Sequence, residues 1–272
     1  MANNGEKEVL LLIADISGYT RFIAANQTSL THGQIVITEL MRAILKELKL
    51  PLRVSKLEGD AVFFYLVKEG NTREISEFAG SFRTKIERIF AAFDHRIAVL
   101  VQSNRCPCAG CKSIEMLRLK VVVHSGRALF YRLDRFMELS GLDVILVHRL
   151  LKNNVDGDEY VLLSEAARTE LFAELNGDFE QGEEHYDEVG KVNTFIFRPG
   201  RDRSAIAPGA FDTPFERWRT SAIFASTTSR SRSSRRSRIS RCPDRARSAA
   251  RPSSSISAKG PASASFRQPI GG

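Results

Sequence analysis

A chain of 272 residues with 43% hydrophobic content can build one or two domains around a sizeable core. No apolar stretch approaches the ~20 residues of a membrane span, and the polar start from Met1 to Glu8 lacks the basic, then apolar pattern of a secretory signal, so a cytoplasmic protein with no membrane partner is expected. The formal charge of +8 is lopsided: residues 201–272 hold 15 Lys and Arg against 4 Asp and Glu, leaving 25 against 28 in residues 1–200, so the charge of the folded part does not argue for nucleic acid.

In EVLLLIADISGYTRFI, the apolar run Val9 to Ala14 predicts a buried strand that ends on a carboxylate, Asp15, before a Ser-Gly-Tyr-Thr turn. Helical spacing follows over Tyr19–Ala25 and again over Gly33–Leu48, where Ile35, Ile37, Leu40, Met41, Ile44, Leu45 and Leu48 recur until Pro51 ends the helix. LRVSKLEGDAVFFYLV reads as two β-rich arms around Glu58-Gly59-Asp60, a hairpin. A long helix is predicted from Thr72 to about Val101, with Phe78, Phe82, Ile86, Ile89, Phe90 and Phe93 on one face.

After the cysteine loop NRCPCAGC, Met116–His124 predicts a strand, Ser125-Gly126 a turn and Gly141–Asn154 a helix. Glu159–Leu163 reads as a short strand, Ser164 as the N-cap of a helix through Phe172, and His185–Val189 with Asn193–Phe197 as a closing hairpin. This alternation predicts an α/β sandwich whose mixed sheet is covered mainly on one face.

Residues 1–200 are thus expected to form one domain and 201–272 a disordered tail, since its Arg, Ser, Ala and Pro offer no periodic apolar face. The tail is either an Arg/Ser segment that binds nucleic acid or an acidic surface, or inert sequence of the kind a GC-rich gene yields when its C-terminus is frameshifted. The second reading is the expectation here.

Taken singly, the chemistry-bearing residues say little. Asp15 could cap the turn that follows, Asp60 suits a tight hairpin after Gly59, and Lys56 alone carries no signal. If the strand ending in Asp15 and the hairpin tip holding Asp60 are neighbours in one sheet, however, two carboxylates meet with no fixed base beside them. Such a pair suits Mg²⁺, which takes one or two carboxylates and completes its shell with water and substrate phosphate, and a two-metal phosphoryl-transfer site follows as a reading.

IADISGYTRFI, KLEGDAVFFY, LRLKVVVHSGRA and ELSGLDVILVHRLLKN, in that order, resemble the successive motifs of the class III adenylate/guanylate cyclase catalytic domain. The likeness is to a divergent cyclase-like family described only as a domain of unknown function, and it runs from about Val9 to Phe197. It implies a ferredoxin-like mixed-sheet sandwich (α+β) and a homodimer that converts ATP to cyclic AMP and pyrophosphate with Mg²⁺ or Mn²⁺. On the resemblance, Asp15 and Asp60 are the metal aspartates, the Ile16 carbonyl is a backbone ligand, and the amides of Ser17, Gly18 and Tyr19 lie near the triphosphate. Lys56 falls on the base-recognising lysine, Arg149 on the arginine that stabilises the pentavalent phosphorus, and Lys191 on the late-strand lysine that grips the triphosphate.

Two positions depart from the pattern. Ile145 stands where the family has a ribose-orienting asparagine, and Glu138 where adenylate-specific members have an aspartate, a place from which it could still accept a hydrogen bond from the base. An apolar residue in place of a polar orienter leaves part of the substrate unheld, so a catalytically silent nucleotide-binding or regulatory dimerisation module is the alternative. The resemblance also places the metal aspartates and Arg149 on different protomers. Without the motif, Arg149 reads as a helix-surface ion pair, and His124 and His148 as structural histidines.

Cys106, Cys108 and Cys111 place three thiols on a short loop. A structural Zn²⁺ needs a fourth ligand, such as His95 or a residue of a partner chain; the other readings are reduced thiols or, with one ligand missing, an iron–sulfur cluster.

Overall fold

β1 (Gly5–Ser17) lies at the centre of the sheet, antiparallel to β3 (Ala61–Val67) on one side and β4 (Arg118–Leu133) on the other. This computed structural model describes residues 5–25, 30–48, 51–70, 72–103, 109–171 and 179–200. The tail 201–272, and with it the expectation of disorder, lies outside the described residues, as do Cys106 and Cys108.

The sheet runs β2-β3-β1-β4-β6-β8-β7 with β5 off β4, where β2 is Arg53–Glu58, β5 Phe136–Ser140, β6 Tyr160–Ser164, β7 Glu180–Tyr186 and β8 Gly190–Phe197. Only the β4–β6 pair is parallel, which makes the sheet mixed. The helices are α1 (Tyr19–Ala25), α2 (Leu30–Glu47), α3 (Thr72–Ser103), the short α4 (Ala109–Lys112), α5 (Leu142–Leu150) and α6 (Glu165–Leu171), with a 3₁₀ turn at Ile114–Met116.

β1 reads as a continuous apolar run because both its faces are buried. Leu10, Leu12 and Ala14 pack with α2 and α3, through Ile37, Leu40 and Ile44 on one helix and Phe82, Ile89 and Phe90 on the other. Val9, Leu11 and Ile13 face the other way, onto Val144, Val147 and Leu150 of α5. Each such fully buried aliphatic side chain contributes roughly 1.5–3 kcal/mol relative to leaving it in water. With α1, α2, α3 and α6 on one face and α5 on the other, the expected mixed-sheet α+β sandwich is the observed architecture.

Two local expectations are corrected, and one strand was not foreseen. Ser125-Gly126 is no turn: β4 runs straight through it, because the extended N-terminal half of β1 offers partners as far as Gly5, pairing Leu10 with Ser125 and Val9 with Gly126. Gly126 is there for close approach, since a Cβ would sit 2.3 Å from the carboxyl carbon of Asp143. β5 was not expected either. It folds back on β4 through a tight reversal in which Asp134 takes a positive φ of 54°. The helix expected to reach Asn154 stops at Leu150, where the Asn153 side chain donates to the Leu150 carbonyl and local side-chain bonding replaces the helical ladder.

Candidate functional site

Asp15 lies inside β1, paired in register with Ala61 of β3 and Lys120 of β4, and is 9% exposed. Its carboxylate does not cap α1: Oδ2 lies 3.2 Å from Lys120 Nζ. Asp60 is the second residue of the two-residue loop between β2 and β3, after Gly59 with φ +66°, the left-handed first position for which a type II′ hairpin turn needs glycine. The Asp60 carbonyl accepts from the Ile16 amide at 3.3 Å, which ties the hairpin tip to the end of β1. The topology therefore brings Asp15, Ile16 and Asp60 together. Beyond them Gly18, with φ +86°, turns the chain from strand into α1, whose first turn closes by the Phe22 amide donating to the Gly18 carbonyl at 2.9 Å.

These residues line an open cleft of about 520 Å³, together with Tyr19, Arg21, Lys120 and Asp158. Burial pushes the Asp15 carboxyl above its ordinary range while Lys120 pulls it back. Asp60 is pushed up to about 6, by burial first and then by the negative charge of Asp15. Two carboxylates thus repel each other at the mouth of a cleft. Lys120 also donates to the Leu151 carbonyl at 3.2 Å, just past α5. Sequence reasoning missed Lys120, which lay in the middle of the strand expected over Met116–His124 with nothing to place that strand beside β1.

Among the described residues, the lining of this cleft does not include Lys56, Glu138, Arg149 or Lys191. Lys56, on β2, pairs with Glu58 at 3.0 Å, and Glu58 Oε2 also lies 3.1 Å from His148 Nε2. Burial would raise Glu58, but Lys56 and His148 outweigh it and hold the carboxyl below its usual range. Glu138 lies on β5 opposite Tyr131. Arg149, in the last turn of α5, pairs with Glu188 at 2.8 Å and lies over the Tyr186 ring. Lys191, on β8, pairs with Glu183 of β7. Ile145, one turn before Arg149, is 51% exposed.

The two histidines read as structural are both satisfied. His124 Nε2 lies 3.0 Å from Asp143 Oδ1 and its Nδ1 2.8 Å from Ser164 Oγ. Ser164 Oγ in turn accepts from the Ala167 amide as the N-cap of α6. His148 Nδ1 donates to the Val144 carbonyl at 2.7 Å.

The family described as Protein of unknown function (DUF2652) matches residues 37–160. The chain is 31% identical over 156 residues to the Uncharacterized protein Rv2561/Rv2562 of Mycobacterium tuberculosis, covering 53% of this chain and 68% of that protein. It is also 28% identical over 121 residues to the Type II methyltransferase M.MjaIII of Methanocaldococcus jannaschii, of whose length it spans 42%. Among solved structures it is similar to the adenylyl cyclase CyaB from P. aeruginosa, at 14% identity and a TM-score of 0.51, over 74% of this chain and 98% of that one. The catalytic core of a rhodopsin-guanylyl cyclase with converted specificity, in complex with ATPalphaS, matches at 16% identity and a TM-score of 0.51, over 74% and 100%. At these identities the likeness shows the fold, which is cyclase-like. No helix among the described residues is long and apolar enough to cross a membrane.

Proposed function

We propose that this chain, which belongs to the family of the Mycobacterium tuberculosis protein Rv2561/Rv2562, is a class III-type nucleotidyl cyclase that acts as a homodimer on ATP, giving cyclic AMP and pyrophosphate. The observation that carries the reading is the meeting of Asp15 and Asp60 in one open cleft at the end of the central strand. The expectation of two carboxylates with no fixed base beside them is corrected by Lys120, whose Nζ lies 3.2 Å from Asp15. The mutually repelling pair, with Asp60 pushed up to about 6, still fits a hard divalent cation that would share Asp15 with that ammonium. Asp15, Asp60 and the Ile16 carbonyl would hold Mg²⁺ or Mn²⁺, whose chemistry when bound is to acidify the ribose 3′-hydroxyl and to offset phosphate charge.

The chain's own residues do the rest. Lys120, between Asp15 and the end of α5, adds a positive charge for the triphosphate at the floor of the cleft, and Gly18 and Tyr19 line its wall. The 3′-oxygen attacks the α-phosphorus, the bond to the bridging oxygen breaks and pyrophosphate leaves. Arg149 and Lys191 take up phosphate charge, while Lys56 and Glu138 meet the base. None of these four lines the Asp15 cleft of its own chain, which supports a dimer in which a second copy supplies them. The exposed apolar side chains Phe136, Leu142 and Ile145, on β5 and the first turns of α5, give that copy an apolar surface to cover.

Incubating the purified protein with ATP and Mn²⁺ and measuring cyclic AMP, with Asp15→Ala as the control, tests the reading. Product above the control is expected, and none above it overturns catalysis. One observation favours a second reading, a silent nucleotide-binding module: Ile145 offers no polar atom where a ribose would need orienting. Nucleotide binding without turnover would favour that module.

A further inference from the structure

The Asp15 cleft holds one cation that the reaction described above leaves unused. Arg21, in α1, lines it together with Gly18, Tyr19 and Thr20. The wall these residues form starts at the carboxylate of Asp15 and, past the turn at Gly18, reaches a guanidinium in the first turn of the helix. Arg21 is exposed, and among the described residues it has no ion-pair partner. Asp158, the remaining carboxylate of the cleft lining, does not pair with it.

The other cations assigned to the phosphates are already committed. Lys120 lies 3.2 Å from Asp15 Oδ2 and donates to the Leu151 carbonyl, Arg149 pairs with Glu188, and Lys191 pairs with Glu183. An incoming anion has to share or displace those partners, whereas at Arg21 it meets no competing carboxylate.

We infer that Arg21 binds the terminal phosphate of the nucleotide, and that it thereby makes the cleft select nucleoside triphosphates over diphosphates. The inference rests on the nucleotide reading of the Asp15 cleft. On that reading the α-phosphorus lies beside the carboxylate pair, so the outer phosphates extend away from it, and the α1 wall runs from Asp15 towards Arg21. A terminal phosphate carries close to two charges and three acceptor oxygens. A guanidinium meets two such oxygens with parallel N–H donors, which an ammonium cannot do. A diphosphate held by its α-phosphate in the same place stops one group short. The competing account, a solvated arginine on a short helix, gives no such preference.

Calorimetry on the full-length protein with Mn²⁺ tests this, using 3′-deoxy-ATP and 3′-deoxy-ADP, which lack the attacking hydroxyl and so report binding alone. Wild type should bind the triphosphate about tenfold or more tighter than the diphosphate, the measure of a hydrogen bond between charged groups. Arg21→Ala should lose that preference by weakening the triphosphate about tenfold with little change for the diphosphate. Arg21→Lys, which keeps the charge without the fork, should fall between. Asp15→Ala should weaken both nucleotides, because it removes a metal ligand. If Asp15→Ala weakens both but Arg21→Ala keeps the wild-type preference, or weakens both nucleotides equally, the role of Arg21 is overturned and the cleft reading stands. Wild type that binds neither nucleotide, or binding indifferent to Asp15→Ala, overturns the cleft reading and this inference together.

Discussion

Asp60 is costly to the fold that holds it, and Asp60→Asn exposes that cost. Its carboxyl is raised from 3.8 to about 6, mainly by burial and then by Asp15. At ~1.36 kcal/mol per unit this places about 3 kcal/mol of penalty on the ionised form, and water in the open cleft screens part of it, leaving about 1–2 kcal/mol. The sign follows from linkage: a carboxyl that binds its proton more tightly when folded destabilises the native state above its folded pKa, and the penalty fades as pH falls through 6 towards 3.8. Asp60→Asn should therefore stabilise the cation-free protein at pH 7.5, raising Tm by about 5 °C at ~2–4 °C per kcal/mol for a domain of this size. At pH 4.5 that advantage should shrink to about a third. Adding Mn²⁺ should reverse the order, because only the wild type gains a ligand. Urea titrations with chelator at the two pH values, then with Mn²⁺, read all three effects. A variant no more stable than wild type at pH 7.5 would refute the assignment of Asp60 as a strained carboxylate.

The same proton should govern metal affinity: below pH 6, Mn²⁺ binding measured by calorimetry should weaken about tenfold per unit as Asp60 protonates, and a flat profile would count against Asp60 as a ligand. Ile145→Asn, at an exposed position, should raise kcat for cyclic AMP about tenfold or more with the fold intact; an unchanged kcat would remove the asparagine argument. Gly126→Ala should cost about 2 kcal/mol or more, because its Cβ would displace the Asp143 carboxylate that binds His124 and the Arg127 amide; equal urea midpoints would contradict that packing. Leu12→Ala, fully buried in β1, should cost about 2–5 kcal/mol by the same assay.

The sheet and its main helices were legible because their apolar residues keep a clear period: β1 as an unbroken run, α2 and α3 as stripes. The Asp15–Asp60 meeting was legible in outline, since a strand end and a hairpin tip were the only parts needed. What failed were features fixed by contacts between elements. Gly126 looked like a turn because glycine has two uses, and only the nearby Asp143 carboxylate shows that the second applies here. β5 was missed because Phe136 to Ser140 is short and half-exposed, its pairing set by β4 rather than by its own pattern. Lys120 was passed over in a strand whose alternate side chains meet opposite faces of the sheet, and its role comes from cross-strand register with Asp15. Cys111 Sγ meets His32 Nδ1 at 3.9 Å across 79 positions, a contact that no local rule could match.

Three of the cations assigned to the nucleotide already rest on carboxylates of their own chain: Lys56 on Glu58, Arg149 on Glu188 and Lys191 on Glu183. Such pairs are too weak to close a site to substrate. All three cations are well exposed, and exposed pairs of this kind are worth about 0–1 kcal/mol each. Exchanging a surface carboxylate for a triphosphate, with more charge and more acceptor oxygens, costs the chain little. On the proposed reading, these ion pairs would hold the cations oriented until a nucleotide arrives. Ile145 is different in kind: no side-chain rearrangement gives it a polar atom. On the proposed reading, turnover therefore depends on how the ribose is held, since neither the Asp15–Asp60 cleft nor the three cations distinguishes the enzyme from the silent module.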